Sequence, residues 1–310
     1  MKRYLITFIF FLLSYSICFS QEPIEVLYDL DDQENYNFYC NNTDFCNYTV
    51  EVLFTQIFNL KSNVGSQYRV EVRPGRTSLA SFSPQKPENH TSIKYSYSYY
   101  KGCINPGINL NFTYLLPLGE GKKTKALPMG YLKVNTQDRE PKDWYAIGFK
   151  MDYGDTVYAA RRGIVVEKRD EAKLQLSGYA YSSQENYIEI VHDDCSFGRY
   201  QVLSGTLVKL GQRVEAGEPI GFAGGDKYEI GPHIRFSVYY NDEQKVSTNG
   251  NDGTKKIVYW AYVPLVFYTP ESKNALLVYG KEYTSEHPES IIKQEMSKRQ
   301  IRNLEKIKQR

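Results

Sequence analysis

Gly231-Pro232-His233-Ile234-Arg235-Phe236-Ser237-Val238 opens on a turn dipeptide and continues as a strand. Side chains two apart on a strand leave the backbone on one face, so His233 and Arg235 project together into whatever cleft that strand lines. Two histidines at this spacing would make a metal-binding strand. Here the second is a guanidinium, which has five donors, no acceptor and a charge that is never lost in proteins. Zinc needs the lone pairs of imidazole, thiolate or carboxylate. The stretch has the form of a zinc-site strand whose second ligand has become a cation.

Three further segments precede it. They are Tyr145-Ala146-Ile147-Gly148-Phe149, then Gly154-Asp155-Thr156-Val157-Tyr158-Ala159-Ala160-Arg161, then the run from Val208 to Gly221 with its Leu210-Gly211-Gln212 and Ala216-Gly217-Glu218-Pro219 turns. In this order and spacing the four segments resemble the catalytic domain of the lysostaphin-type (LytM-like) zinc endopeptidases, a family that cuts the peptide cross-links of bacterial cell wall. The resemblance covers residues 145 to 238, about a third of the chain.

The family's pattern carries a histidine, an Asp in a Tyr-Ala-Ile-Asp-Phe-like run and the second histidine of a His-x-His strand as metal ligands. At the matching positions this chain has Gly148 and Arg235, and its histidines are only His90, His192, His233 and His287, so none lies shortly before Tyr145. A Tyr-x-His-Leu run supplies a catalytic histidine in the family, and Tyr200-Gln201-Val202-Leu203 puts Val202 there. His233 alone survives, at the family's other catalytic position. The resemblance therefore implies no catalytic residue, no metal ligand and no cofactor, although zinc is what the family uses. A catalytic zinc site needs about three protein ligands and an open water position. A displaced set of His192, Asp193, Asp194 and His233 is the alternative metal reading. For Arg235 two readings stand: it fills the vacated pocket paired with Asp152 or Asp143, or it grips a carboxylate of a wall peptide with its two-pronged fork. His233, Arg235 and Tyr145 are the candidate groove residues.

Lys2 and Arg3, an apolar run from Tyr4 to about Ile17, and Cys18-Phe19-Ser20 follow the order of a cleaved secretory signal peptide, residues 1–20. No comparable apolar stretch follows, so the exported form is expected to lack a membrane span, and its place is periplasmic, envelope-bound or extracellular. Without Lys2 and Arg3 the formal net charge of +2 falls to about zero, which gives no basic field for nucleic acid. Cys40, Cys46, Cys103 and Cys195 remain, and an oxidising compartment permits two bridges. Cys40 and Cys46 bracket a turn-like stretch and are the favoured pair, with Cys103 as the rival partner and Cys195 as a free thiol.

The segment before the peptidase-like part alternates in Ile24–Tyr28, Tyr48–Phe54, Tyr68–Arg73 and Tyr95–Tyr100, with turn clusters at Pro74-Gly75 and Ser83–Pro87. The expected fold is mainly β: an N-terminal antiparallel sandwich-like domain (21–116), a solvated basic connector (117–143) that the resemblance implies packs against the second domain, a LytM/lysostaphin-type antiparallel β domain (144–268) and a C-terminal extension (269–310) ending in a short basic helix. The function that follows is an exported pseudoenzyme that binds peptidoglycan stem peptides or docks onto a wall hydrolase to regulate it. The competing readings are an active metallo-endopeptidase with non-standard ligands and an envelope scaffold. Neither nucleic-acid binding nor an oligomeric state is indicated.

Overall fold

The computed structural model describes residues 22–131, 141, 143–173, 177–180, 182–247 and 254–308, with backbone alone at 244–247, 254–258, 304, 305, 307 and 308. The expected signal peptide lies outside the described residues. The chain is mainly β, with two short helices near its C-terminal end, α1 (Glu289–Ile292) and α2 (Lys298–Lys308). Among the described residues no helix is long and apolar enough to cross a membrane.

The first seven strands are β1 (Ile24–Leu30), β2 (Tyr36–Asn42), β3 (Tyr48–Phe58), β4 (Leu60–Ser62), β5 (Gln67–Val72), β6 (Gly75–Pro84) and β7 (Ser92–Lys101). They form two sheets, β1-β2-β6-β4 and β5-β3-β7, antiparallel throughout. Alternation decides which faces meet. Phe38 and Phe82 of the first sheet close on Phe54 of the second, with ring centroids 5.1 and 4.6 Å apart. Val50, Val52 and Val72 complete this core. Each such side chain contributes roughly 1.5–3 kcal/mol by leaving water. The alternating runs read from sequence became β1, β3, β5 and β7, while β2 and β6 fill the intervals between them.

The rest builds one large sheet. Its strands are β9 (Lys123–Pro128), β10 (Ile147–Lys150), β11 (Thr156–Tyr158), β12 (Gly163–Arg169), β13 (Asn186–Val191), β14 (Phe197–Thr206), β15 (Arg213–Val214), β16 (Pro219–Ala223), β17 (His233–Ser247), β18 (Thr254–Tyr262) and β21 (Glu282–Thr284). The central order is β15-β12-β13-β14-β17-β10-β9-β21. A small sheet of β8 (Thr113–Tyr114), β19 (Val266–Thr269) and β20 (Ser272–Ala275) covers its inner face. The core between them holds Ile147, Phe149, Ile188, Ile190, Tyr200, Ile234, Phe236 and Phe267.

The basic connector, expected to pack against the second domain, contains strand β9 and contributes to this core. Leu116 and Leu118 are buried, and β9 pairs with β10 on one side and β21 on the other. The reason is alternation: Lys123 and Lys125 face water while Thr124 and Ala126 face inward. The C-terminal extension is likewise knitted in, because β21 is a strand of the large sheet.

The disulfide also departs from expectation. Cys103 is bonded to Cys195, joining the chain just after β7 to the turn after β13, whereas Cys40 and Cys46 are free and buried. The predicted local bridge does not form: both thiols are free within the sandwich's apolar cluster. Cys40 sits within β2, opposite Val26 and Thr77. Cys46 lies beside Asp44 and the charges of Lys101, Glu189 and Glu167. Burial pushes the Cys40 thiol up to about 11 and the Cys46 thiol up to about 12, far from thiolate reactivity.

Candidate functional site

Strands β14, β17 and β10 lie side by side, with Gln201 and Gly148 both opposite Arg235. Along β17, Ile234, Phe236 and Val238 face the core, so Arg235, Ser237 and Tyr239 face the other way. That second face is a groove of about 390 Å³. Its charged lining comprises Lys101, Arg169, Arg199 and Arg235 against Glu167, Glu185 and Glu189, which leaves one cation in excess. Arg169 is that excess: its guanidinium donates to the carbonyl of Ser183 at 3.3 Å and lies over the Tyr187 ring. The lining is also aromatic. Trp144 packs edge-on against Tyr131 and Tyr262 at 5.1 and 4.6 Å, and Tyr239 packs against Trp260 at 5.0 Å.

A side chain at Gly148 would have to displace its neighbours. A Cβ built there would stand 2.0 Å from Met129 Cε and 3.0 Å from Leu127 Cβ, so neighbouring apolar side chains fill the space where a ligand Asp would project. Arg235, only 5% exposed, stands 3.5 Å from the buried carboxylate of Glu185. This corrects the expected partners: Asp143 instead accepts the backbone N–H of Tyr262 at 2.7 Å, and the Asp152 backbone caps onto Asp155. Glu185 is also held by the amide of Gln201 at 3.4 Å and by the hydroxyl of Tyr228. Burial pushes its carboxyl above the usual range, with Arg235 opposing the shift.

His233 is fully buried beneath Gly224, Gly225 and Tyr228. Its Nδ1–H donates to the carbonyl of Gly231 at 2.8 Å, and its Nε2 lone pair has no partner among the described residues. Burial pulls its pKa down to about 4. Val202, on β14, is a β-branched residue held at φ 66°, a conformation costing about 1–2 kcal/mol for such a side chain.

Of the three candidate groove residues, the structure places Arg235 in the groove lining and His233 on the same strand face but covered. Tyr145 lies apart from both: it packs against the core, because it shares strand parity with Ile147, and its neighbour Trp144 takes the groove side. Sequence reasoning missed Glu185, Arg199, Trp144 and Tyr239. The available signal was alternation, since Arg199 and Gln201 on β14 and Tyr187 and Glu189 on β13 are polar positions interleaved with Ile188, Ile190 and Tyr200.

The residues do not fit a zinc ion. His233 offers one orphaned lone pair, Gly148 none, and Arg235 a positive charge. The displaced set does not converge either. Asp194 is engaged by Arg161 at 2.9 Å and by Ser196, and His192 donates from Nδ1 to the carbonyl of Arg162. No cluster of three or more His, Cys, Asp or Glu suited to a metal ion occurs among the described residues.

An antiparallel β-sheet thus carries a groove across its outer face, with Gly148 and Arg235 register partners on adjacent strands. Residues 142–248 match the model of peptidase family M23. The peptidoglycan DD-endopeptidase ShyA of Vibrio cholerae is 34% identical over 90 residues, 29% of this chain and 19% of that protein. The glycyl-glycine endopeptidase ALE-1 of Staphylococcus capitis is 33% identical over 98 residues, 31% of this chain and 25% of that protein. The matched stretch thus spans a quarter or less of these curated relatives. The solved catalytic domain of lysostaphin from Staphylococcus simulans is 25% identical, covering 47% of this chain and 88% of that one, with a TM-score of 0.26.

Proposed function

We propose that this chain is an exported, noncatalytic M23-domain protein that binds peptides of the bacterial cell wall in the groove across β14, β17 and β10. The observation that carries the reading is the occupation of the ligand positions: Met129 fills the space beside Gly148, and Arg235 is paired to Glu185. Hydrolysis in this fold needs a metal-activated water, and these side chains have nothing with which to recruit the ion. The peptidoglycan endopeptidases among the relatives support the wall as the partner. The Cys103–Cys195 bond supports an oxidising compartment and hence export.

The test joins three measurements on the purified protein: metal content, clearing of wall preparations with and without chelator, and sedimentation with intact sacculi. The expected result is cosedimentation without stoichiometric zinc and without clearing. Chelator-sensitive release of wall fragments would show a working hydrolase instead. Protein that neither clears nor cosediments would leave the groove a structural remnant and end the wall reading. Replacing Gly148, Val202 and Arg235 by Asp, His and His is expected not to restore cleavage, because the first ligand position before Tyr145 remains without a histidine.

A further inference from the structure

We propose that Arg235 is a carboxylate-binding subsite at the floor of the groove, kept closed in the free protein by Glu185, which an incoming carboxylate displaces. The proposal rests on the reading that the groove binds rather than cuts, and it adds the chemical group that is bound and the side chain that gives way.

Three observations point there. First, the Arg235–Glu185 contact is a poor use of a guanidinium. Its closest approach is 3.5 Å through a single terminal nitrogen, and Nε has no hydrogen-bond partner among the described residues. Well-formed arginine–carboxylate pairs are two-pronged at about 2.7–2.9 Å. With the side chain only 6% exposed, an unfilled donor of this kind is costly, and a second carboxylate of better geometry would fill it. Second, Glu185 has other donors. Gln201 and the hydroxyl of Tyr228 hold its two oxygens, so it keeps hydrogen bonds when the arginine turns away. Third, the groove lining carries one cation more than it has carboxylates. Arg199 stands on the same face of the neighbouring strand, opposite Ser237 and two residues along the register from Arg235, and its Nε also has no hydrogen-bond partner among the described residues. Its other contacts, Glu189 at 3.1 Å and the Tyr187 ring at 3.9 Å, hold it beside the groove.

The Nε atom of Arg235 is covered in the free protein, so the exchange needs the guanidinium to swing from Glu185 towards the groove. No bond is made or broken. Trp144, Tyr239 and Trp260 then provide apolar area for whatever carries the carboxylate.

Calorimetric titration of the full chain separates the possibilities. The probes are N-acetyl-glycyl-glycine, its C-terminal amide, and an N-acetyl-aspartyl amide whose only carboxylate is on the side chain. The free acid is expected to bind and its amide not to bind. The aspartyl probe tells whether a chain terminus or an acidic side chain is preferred. Arg235→Gln and Arg235→Lys should each weaken the acid about tenfold or more, because lysine lacks the fork. Glu185→Gln should tighten it by about tenfold, since the internal competitor is neutralised. Arg235→Gln leaves Glu185 buried without its cation and risks misfolding. The double variant Glu185→Gln/Arg235→Gln removes both charges in nearly the same volume, and it should bind acid and amide alike. Equal binding of acid and amide by the unmodified protein overturns the proposal, as does a Glu185→Gln variant that weakens the acid as much as Arg235→Gln does. Cosedimentation with sacculi is read separately, so a failed titration with retained wall binding removes the subsite and leaves the wall reading in place.

Discussion

At position 233 a histidine has kept its place on the groove-side face of β17 while losing access to it. Its Nδ1–H is tied to Gly231, its Nε2 is dry and unpartnered, and burial lowers its pKa from 6.5 to about 4. His192 is shifted in the same direction by burial in the core and by the nearby Arg161 cation. These shifts fix how stability depends on pH. A folded pKa depressed below the unfolded value means that the unfolded chain takes up the proton first. Stability is therefore complete above about 6.5 and is lost as the pH falls through the window towards 4. For His233 the loss by pH 5 is on the order of 1–2 kcal/mol. Urea denaturation of the wild type and of His233→Asn, which keeps a donor for Gly231, should show this difference at pH 5 and its disappearance at pH 8. Equal pH dependence in the two proteins would mean that His233 is solvated. Val202 shows a second local feature, since a left-handed β-branched residue is strain that ordinary packing does not require.

Strand β9 shows at the level of the element what the sequence reveals and what it conceals. Strands with strong one-sided alternation, such as Tyr48-Thr49-Val50-Glu51-Val52, were legible because burial of one face is what aligns them. In Lys123-Thr124-Lys125-Ala126 the same alternation is present, but the inward residues are small and the outward ones charged, so the stretch reads as a solvated linker. β2 was concealed in a similar way by its asparagines, although Phe38, Cys40 and Asn42 are its buried row. The groove strand was legible through Arg235, which ruled out a metal ligand there. Its partner was not: Glu185 lies in the loop before β13, and no periodicity links a loop residue to a strand fifty positions later. The Cys103–Cys195 bond was hidden for the same reason, since a separation of 92 residues carries no local signal. The assignment of β9 is open to direct test. Ala126→Asp places a charge at a fully buried position and should cost about 3 kcal/mol or more. Lys125→Asp, one residue away on the solvent face, should change stability by less than about 0.5 kcal/mol. Denaturation of the two variants checks this, and comparable effects would return the segment to the status of a linker.

Across the whole molecule the N-terminal sandwich and the large sheet share a seam rather than a hinge. Val166, Phe197 and Tyr239 of the large sheet belong to the sandwich's apolar cluster, and the Phe45 ring lies on Gly211. Lys101 crosses the seam to Glu189 at 2.5 Å, and Arg69 reaches both Glu51 and Glu243. The Cys103–Cys195 bond closes the same boundary. These ties act on different states. The bond constrains the unfolded chain, and for a separation of 92 residues its loss should cost on the order of 4–5 kcal/mol. The ion pair acts in the folded state. Lys101→Met leaves Glu189, 3% exposed, to Arg199 and Tyr239 alone, and a partly compensated buried charge of this kind should cost about 2–3 kcal/mol. If the apolar seam holds the two parts together, reduction lowers the melting temperature but leaves one cooperative transition. Lys101→Met in the reduced protein then leaves the Arg69–Glu243 pair and the apolar seam in place, and should lower the melting temperature further while the single transition persists. Because residues 101 and 103 are neighbours, the combined loss need not equal the sum of the two. Two transitions on reduction alone would make the disulfide, and not the seam, the tie that sets the sandwich beside the groove it partly walls with Lys101.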